Sequence, residues 1–538
     1  MGRYLNPSAD VFSVLAESPL YVDKTALIAY TNGVMGTGRR LTCFSRPRRF
    51  GKSYAAQMLA AYYSKGAQTK SLFDRFEISR LKGSPISDPA LRVVPYETYL
   101  NQLDVIFLDI SWFSPFDSGS FLLRLQETVM AEIREEIPES QTYQTNSLAD
   151  LLSFIATKTG RKFFIIIDEW DILFREAKDD IALQKDYIDF LRHLFKGYQS
   201  TLFVAGAYMT GILPIKKYGT QSSLTDFTEF TMLTPKQLAP YVGFTENEVR
   251  SFCERYQIDF TQIQRWYDGY HFGSLHHIYN PNSVINAISS REIASYWAQS
   301  ESYESLKLYI ELNFDGLREA VLDLIGGQSY LIDPLGFQND MTSITSRDDV
   351  LTLLAHLGYL AYDAATRTVS IPNEEIRQEF ISTVRRGHRP ELVKAVELSN
   401  KVLSATLAKD EQTVAELIAQ AHMAQTAPLH YNDEQALRSV VTMAYLSSMD
   451  HYERFDEIAG GRGFIDLLFM PMPESSKPPL IIELKKDQLP DVALAQIEEK
   501  HYIEALKQRH YRGKALLIGI VYDSKTGKHR CEIKETAV

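Results

Sequence analysis

Leu41-Thr42-Cys43-Phe44-Ser45 is a short apolar run, and Arg46 to Phe50 has the composition of a loop. Gly51-Lys52-Ser53 then opens a stretch, Tyr54 to Tyr63, that is rich in Ala, Met and Leu. Strand, loop and helix in that order form the setting of a phosphate-binding loop. In such a loop backbone N–H groups at the helix start face the phosphates, Lys52 reaches the β- and γ-phosphates, and the Ser53 hydroxyl sits on Mg²⁺. The strict pattern has Gly where Arg46 stands, so the motif is incomplete, and Gly-Lys-Ser alone fits an ordinary helix start equally well.

A second element supports the functional reading. Phe163-Phe164-Ile165-Ile166-Ile167 is a buried-strand run that ends in Asp168-Glu169. This is a Walker B pattern: the strand end delivers Asp168 to the Mg²⁺ shell, and Glu169, one residue on, polarises the attacking water. Many buried strands end in acidic turn residues, so it is the pairing with an upstream Gly-Lys-Ser that favours function. Val105 to Ile110 and Thr201 to Ala207 read as further strands, with helical stretches between, such as Phe121 to Ile137. Alternation of this kind predicts a parallel, doubly wound sheet whose ligands bind at the carboxyl ends of the strands.

At 538 residues the chain is too long for one core, and roughly two to four domains are expected. Its net charge of −11 argues against a strongly basic nucleic-acid binder as a whole, so nucleic acid must be met by local patches or through a metal. Cys43, Cys253 and Cys531 are far apart and lack metal spacing, which reads as reduced thiols in a cytosolic protein. No apolar run approaches the roughly 20 residues of a membrane span, and no signal core follows Met1. Asp23-Lys24 reads as a surface charge pair. Trp266 to Tyr270, Ile278 to Pro281 and Tyr296-Trp297 read as an aromatic packing surface without catalysis. Asp349 to Gly358 has helical spacing with a Gly stop, and Tyr359–Tyr362 with Thr368–Pro372 form a hairpin, together a winged-helix-like lid. Arg385 to Pro390 is a basic linker.

Beyond the linker, helices from Glu391 to about Gln425 and from Gln435 to Ser448 give way to strands. Phe464-Ile465-Asp466-Leu467-Leu468-Phe469 and Leu480-Ile481-Ile482-Glu483-Leu484-Lys485 flank a Pro- and Ser-rich hairpin loop, and Ala515 to Tyr522 adds another buried strand. Residues two apart on a strand share a face, so Glu483 and Lys485 point together, and an aligned neighbour brings Asp466 to them. Two carboxylates beside a Lys suit a hard divalent cation that activates water against a phosphodiester. A surface strand with a salt-bridged Glu–Lys pair shows the same residues.

Tyr21-Val22-Asp23-Lys24-Thr25, Arg46 to Ser53 and Trp266-Tyr267-Asp268-Gly269-Tyr270, in this order, resemble the signature blocks of the AAA-ATPase-like family whose members usually carry a C-terminal PD-(D/E)XK nuclease-like domain. In that family Arg commonly replaces the first loop Gly. The resemblance implies an α/β fold: a P-loop NTPase-type parallel sheet with a helical, winged-helix-like lid, then a PD-(D/E)XK nuclease-like α/β domain. The expected segments are 1–235 for the ATPase-like domain, 236–300 for a helical, aromatic-rich connector, 301–389 for the winged-helix-like lid and 390–538 for the nuclease-like domain. It implies ATP held by Arg48, Arg49, Phe50, Gly51, Lys52, Ser53, Asp168 and Thr210, the last as a γ-phosphate sensor. Metal contacts fall to Ser53 and Asp168 at one site, and to Glu434, Asp466 and Glu483 at the other, with Mg²⁺ or Mn²⁺. Glu169, Asp466, Glu483 and Lys485 are the catalytic candidates. Glu457, Gly461-Arg462-Gly463, Gln496 and Lys500 match accessory family positions. The implied partners are ATP and DNA or RNA, with a homo-oligomer left open, in the cytoplasm and away from membranes. A nucleotide-dependent switch whose nuclease-like domain only binds a partner is the alternative.

Overall fold

The computed structural model describes residues 2–81, 86, 88–117, 119–218, 221–222, 224–273, 275–297, 314, 316–338, 344–386, 390–425, 434–472 and 475–538. The chain divides into two compact units, Met1–Ser302 with Leu331–Gln378, and Tyr303–Tyr330 with Glu379–Val538. Residues 331–378 of the expected lid therefore group with the first unit and 379–389 with the second.

The first unit is built on a five-stranded, all-parallel sheet of β1 (Leu41–Ser45), β2 (Asp104–Asp109), β3 (Phe163–Asp168), β4 (Val204–Gly211) and β5 (Thr228–Phe230), in the order β2-β3-β4-β1-β5. Every residue of β1, β3 and β4 is buried, as a sheet covered on both faces requires. Strands β1 and β3 both neighbour β4, so their carboxyl ends lie about 10 Å apart, within reach of one bound nucleotide. One expectation shifts here. Thr201 to Phe203 end a helix, Gly197–Phe203, and the strand runs on from Val204 to Gly211 so that it includes Thr210.

The aromatic stretch is not purely helical. It forms a small antiparallel sheet of β6 (Phe244–Thr245), β7 (Tyr270–Phe272) and β8 (Leu275–Tyr279), in the order β6-β8-β7. Gly269, just before β7, has φ 110°, and a Cβ there would lie 1.9 Å from the Pro372 carbonyl oxygen, so only Gly fits. The expected helix and hairpin are present as Arg347–Leu357, closed by Gly358 at φ 88°, followed by the antiparallel pair β9 (Ala361–Asp363) and β10 (Thr368–Ser370). Gly387-His388-Arg389 of the expected linker lie outside the described residues.

In the second unit, helices α2 (Pro390–Leu407), α3 (Glu411–Gln425) and α4 (Glu434–Ala444) precede a mixed sheet; α1 is the helix Lys52–Tyr63 that leaves the phosphate-binding loop. The sheet is β11 (Tyr452–Gly460), β12 (Gly463–Pro471), β13 (Leu480–Lys486), β14 (Lys514–Asp523) and β15 (Lys528–Ala537), in chain order. Only β13 and β14 are parallel, joined through α5 (Pro490–Glu499). One face packs Leu467, Phe469, Ile482 and Ile518 with Val402, Val414 and Leu437 of the three helices. The other packs Ile465, Leu468, Ile481 and Leu517 with Leu494 and Ile497 of α5.

Those two clusters expose an irregularity. Ile465 and Leu468 share one face while Leu467 lies on the other, so strict alternation along β12 slips by one at Asp466. The partner position on β11 is Glu457, whose φ is 47°. Such kinks re-aim side chains, and this one falls at a candidate catalytic carboxylate.

Candidate nucleotide and nuclease sites

Gly51, at φ 92°, turns the chain from loop into α1 in a left-handed conformation, and Lys52 and Ser53 follow in the first turn. The loop bounds a cavity of about 910 Å³, lined by Arg48, Arg49, Phe50, Gly51, Lys52 and Ser53 and, across it, by Asp109, Asp168, Glu169 and Arg175. Eight of the expected nucleotide and catalytic residues thus meet there. Thr210 is not among the lining residues. It is fully buried, and its hydroxyl has no hydrogen-bond partner among the described residues.

Electrostatics in the cavity follow from burial. Lys52 is 4% exposed and donates from Nζ to the Pro47 carbonyl at 2.9 Å. Desolvation pulls its pKa down, against the attraction of Glu169, Asp168 and Asp171. Asp168 is pushed up to about 7 by burial, with Glu169 adding to the rise and the Ser53 hydroxyl and Lys52 opposing it. A divalent cation with nucleotide phosphates suits this donor set, because Ser53 and Asp168 supply oxygen ligands beside a buried ammonium group.

Sequence reasoning missed three residues around this cavity. Arg175 forms ion pairs with Glu169 and, at 3.1 Å, with Asp171. Asp171 is wholly buried and accepts the Leu213 N–H at 2.9 Å, which ties the end of β3 to the segment after β4. Lys24 is not at the surface, a correction to the reading of Asp23-Lys24. Its Nζ donates to Glu248 Oε1 at 2.6 Å and to the Pro240 carbonyl at 2.8 Å, and it lines the cavity. Asp23 accepts the Glu77 N–H at 2.7 Å. An acid 224 positions away in sequence could not be paired with Lys24 from spacing alone.

Arg46 explains the departure from the strict loop motif. It is fully buried between the Phe44 and Phe272 rings, 4.6 and 4.3 Å from their centroids, and donates to the Ser45 and Phe230 carbonyls. Burial draws its pKa down to about 9. Phe50 packs edge-on against Tyr270 at 5.3 Å, and the Tyr270 hydroxyl donates to the Gly358 carbonyl at 2.6 Å. The aromatic stretch, expected only to pack, is what the loop rests on.

In the second unit Asp466 Oδ2 accepts the Leu484 N–H at 2.8 Å, and Oδ1 accepts from Arg438 Nη2 at 2.9 Å. Leu467 pairs with Ile482, so Asp466 and Glu483 are the next cross-strand neighbours. Glu483 is 1% exposed. Its Oε1 accepts from Lys485 Nζ at 3.0 Å and from Gln496 Nε2, while Oε2 is buried with no hydrogen-bond partner among the described residues. Burial, and next the Asp466 charge, push its pKa up to about 7. A buried carboxylate oxygen with nothing to bond, beside a second carboxylate, fits a divalent cation. Among the described residues no group of three or more His, Cys, Asp or Glu side chains forms a metal cluster. Glu434 begins α4, and its side chain lies outside the described residues.

Residues 10–221 match the family described as predicted AAA-ATPase, and residues 432–532 match the PD-(D/E)XK nuclease superfamily. The chain joins an AAA-ATPase-like domain to a PD-(D/E)XK nuclease superfamily domain. Among solved structures, the Aeropyrum pernix ORC2 protein in its ADPNP–ADP complexes is similar at 12% identity, over 69% of this chain and 96% of that one, with a TM-score of 0.29. No curated protein matches the chain.

Within the nuclease superfamily domain, Gln496 also donates to the Tyr502 hydroxyl at 3.2 Å, and that hydroxyl donates to the Phe464 carbonyl at 2.6 Å. Glu457 is exposed and ion-paired with Arg438, and the Lys500 carbonyl accepts the Arg462 N–H at 2.7 Å. Arg438 and Tyr502 carried no sequence signal. Among the described residues no helix is long and apolar enough to cross a membrane.

Proposed function

We propose that the AAA-ATPase-like domain binds and hydrolyses ATP and that its nucleotide state controls metal-dependent cleavage of nucleic acid phosphodiesters by the nuclease superfamily domain. The observation that carries the cutting half is the buried Oε2 of Glu483, unpartnered among the described residues, beside Asp466 and Lys485. In this reading the segments run 1–235, 236–300, 301–389 and 390–538 as expected from the sequence, in a cytoplasmic protein that acts on DNA or RNA.

Lys52 and the loop N–H groups hold the triphosphate, Ser53 and Asp168 hold its Mg²⁺, and Glu169 accepts a proton from the attacking water, while Thr210, buried behind the cavity lining, has no place in this set. At the second site Asp466 and Glu483, with Glu434, hold Mg²⁺ or Mn²⁺. When bound, the cation lowers the pKa of a water and offsets charge on the scissile phosphate. Lys485 Nζ, kept in place by Glu483, orients that water or meets the phosphate charge, and Gln496 fixes Glu483 from the other side.

The test is cleavage of labelled single- and double-stranded DNA and RNA by the full chain with Mg²⁺ or Mn²⁺, with and without ATP. Loss of cutting in Asp466→Ala and in Glu483→Ala, with a rate that changes on adding ATP, is the expected result. Metal-independent or variant-insensitive cutting removes the nuclease assignment. Nucleic acid binding that changes with ATP but is never followed by cutting favours the second reading, a nucleotide-dependent switch.

A further inference from the structure

We infer that Arg438 is a positioning residue for the cation site of the nuclease superfamily domain, holding Asp466 in the orientation in which it meets a divalent cation. The inference rests on the metal-dependent reading above and adds a residue that neither the sequence motifs nor the family matches assign.

Arg438 lies on α4, whose neighbours Leu437, Val440 and Val441 are anchored in the core beneath the sheet. Its side chain is 21% exposed. One terminal nitrogen meets Glu457 on β11 and the other meets Asp466 Oδ1 on β12, so the guanidinium spans the pair at which strand alternation slips. Asp466 is therefore gripped from two sides, by Arg438 on one oxygen and by the Leu484 N–H on the other. A carboxylate has about four lone-pair sites, so two hydrogen bonds leave two free for a cation. At the slip in alternation the Leu484 N–H on the neighbouring strand holds only one of the two Asp466 oxygens. Arg438, whose planar fork suits carboxylates, fixes the other.

Two physical effects of Arg438 on a bound cation have opposite sign. Its charge repels the cation, while its hydrogen bond pre-orients a ligand. Loss of a partner that orients a metal ligand usually costs about 10–100-fold in metal affinity, and the Glu457 carboxylate on the same guanidinium offsets part of the repulsion. Orientation is therefore the larger effect.

The test is Mn²⁺ binding by calorimetry on the nucleotide-free full chain, with Asp466→Ala as the blank. Arg438→Ala is expected to weaken binding about 10–100-fold, with Arg438→Lys recovering part of the loss. Glu457→Ala, which removes the other partner of the guanidinium, is expected to leave the affinity within about twofold, whereas a purely structural tie between α4 and β11 would make it mimic Arg438→Ala. If Arg438→Ala fails to fold, Arg438→Lys and Glu457→Ala carry the comparison by themselves. Unchanged or tighter Mn²⁺ binding in the Arg438 variants overturns the inference and leaves the nuclease reading standing. A wild-type isotherm that matches the Asp466→Ala blank overturns both.

Discussion

Arg175 holds Glu169 in an ion pair at the mouth of β3, where Glu169 itself sits at φ 52°. The carboxylate expected to polarise water is thus already placed over the cavity, by a residue six positions along the chain. Glu169→Gln keeps the shape of the site but removes the base. Hydrolysis should fall by about 10²–10⁴-fold while ATP binding survives, because general-base catalysis is worth that much. Lys52→Ala should instead weaken ATP binding itself. Steady-state turnover together with equilibrium binding of a fluorescent ATP analogue separates the two; equal loss of binding in both variants would sink the division of roles.

Metal binding at the second site should depend on pH through Glu483. Its folded pKa of about 7 lies above the ordinary carboxylate value, so the folded protein keeps this proton until near neutrality. A cation needs the carboxylate, so each unit of pH below 7 should weaken Mn²⁺ binding about tenfold, with proton release on binding. Calorimetry in buffers of different ionisation enthalpy counts those protons. Glu483→Gln should abolish the dependence along with most of the binding.

Gly269 should be intolerant of any side chain. Its φ of 110° and a Cβ position 1.9 Å from the Pro372 carbonyl leave backbone as the obstacle, which cannot swing aside as a side chain can. Gly269→Ala should cost about 3 kcal/mol or more and lower Tm by about 4 °C or more. Because Tyr270, the next residue, packs on Phe50, ATP binding should weaken in the same variant. Full ATP affinity at an unchanged Tm would contradict the account of the aromatic stretch as the support of the loop.

Acid should loosen the second unit through His529. It is 7% exposed, packs on His422 and Tyr522, and among the described residues has no hydrogen-bond partner on either ring nitrogen. Burial, and then the neighbouring His422, lower its pKa to about 4. Between the ordinary histidine value near 6.5 and about 4 the unfolded chain binds a proton that the folded chain refuses, so stability is full above that window and falls by about 3 kcal/mol across it. Glu483 acts with the opposite sign, since its raised pKa favours the folded state as pH drops. The difference between wild type and His529→Phe isolates the histidine: the variant should lose less Tm from pH 7 to pH 4.5. Parallel Tm curves would show that His529 does not carry the acid response.

Local order in the chain determined the phosphate-binding loop, the strand ending in Asp168-Glu169, and the strand pair that carries Asp466 and Glu483. Each lies within one continuous stretch of about twenty residues, where periodicity and loop composition are physically sufficient. The outer strands β11 and β15 escaped that reading because an edge strand, wetted on one side, keeps too many polar residues to show an apolar run. Tertiary structure alone decided the rest. Lys24 meets Glu248, Arg46 lies between Phe44 and Phe272, and Arg438 reaches Asp466, each across a gap that only folding closes. The slip in alternation at Asp466 belongs with them. Period-two reasoning assumes an unbroken pleat, and the slip opposite Glu457 shows only in which face of the folded sheet Ile465, Leu467 and Leu468 each pack on.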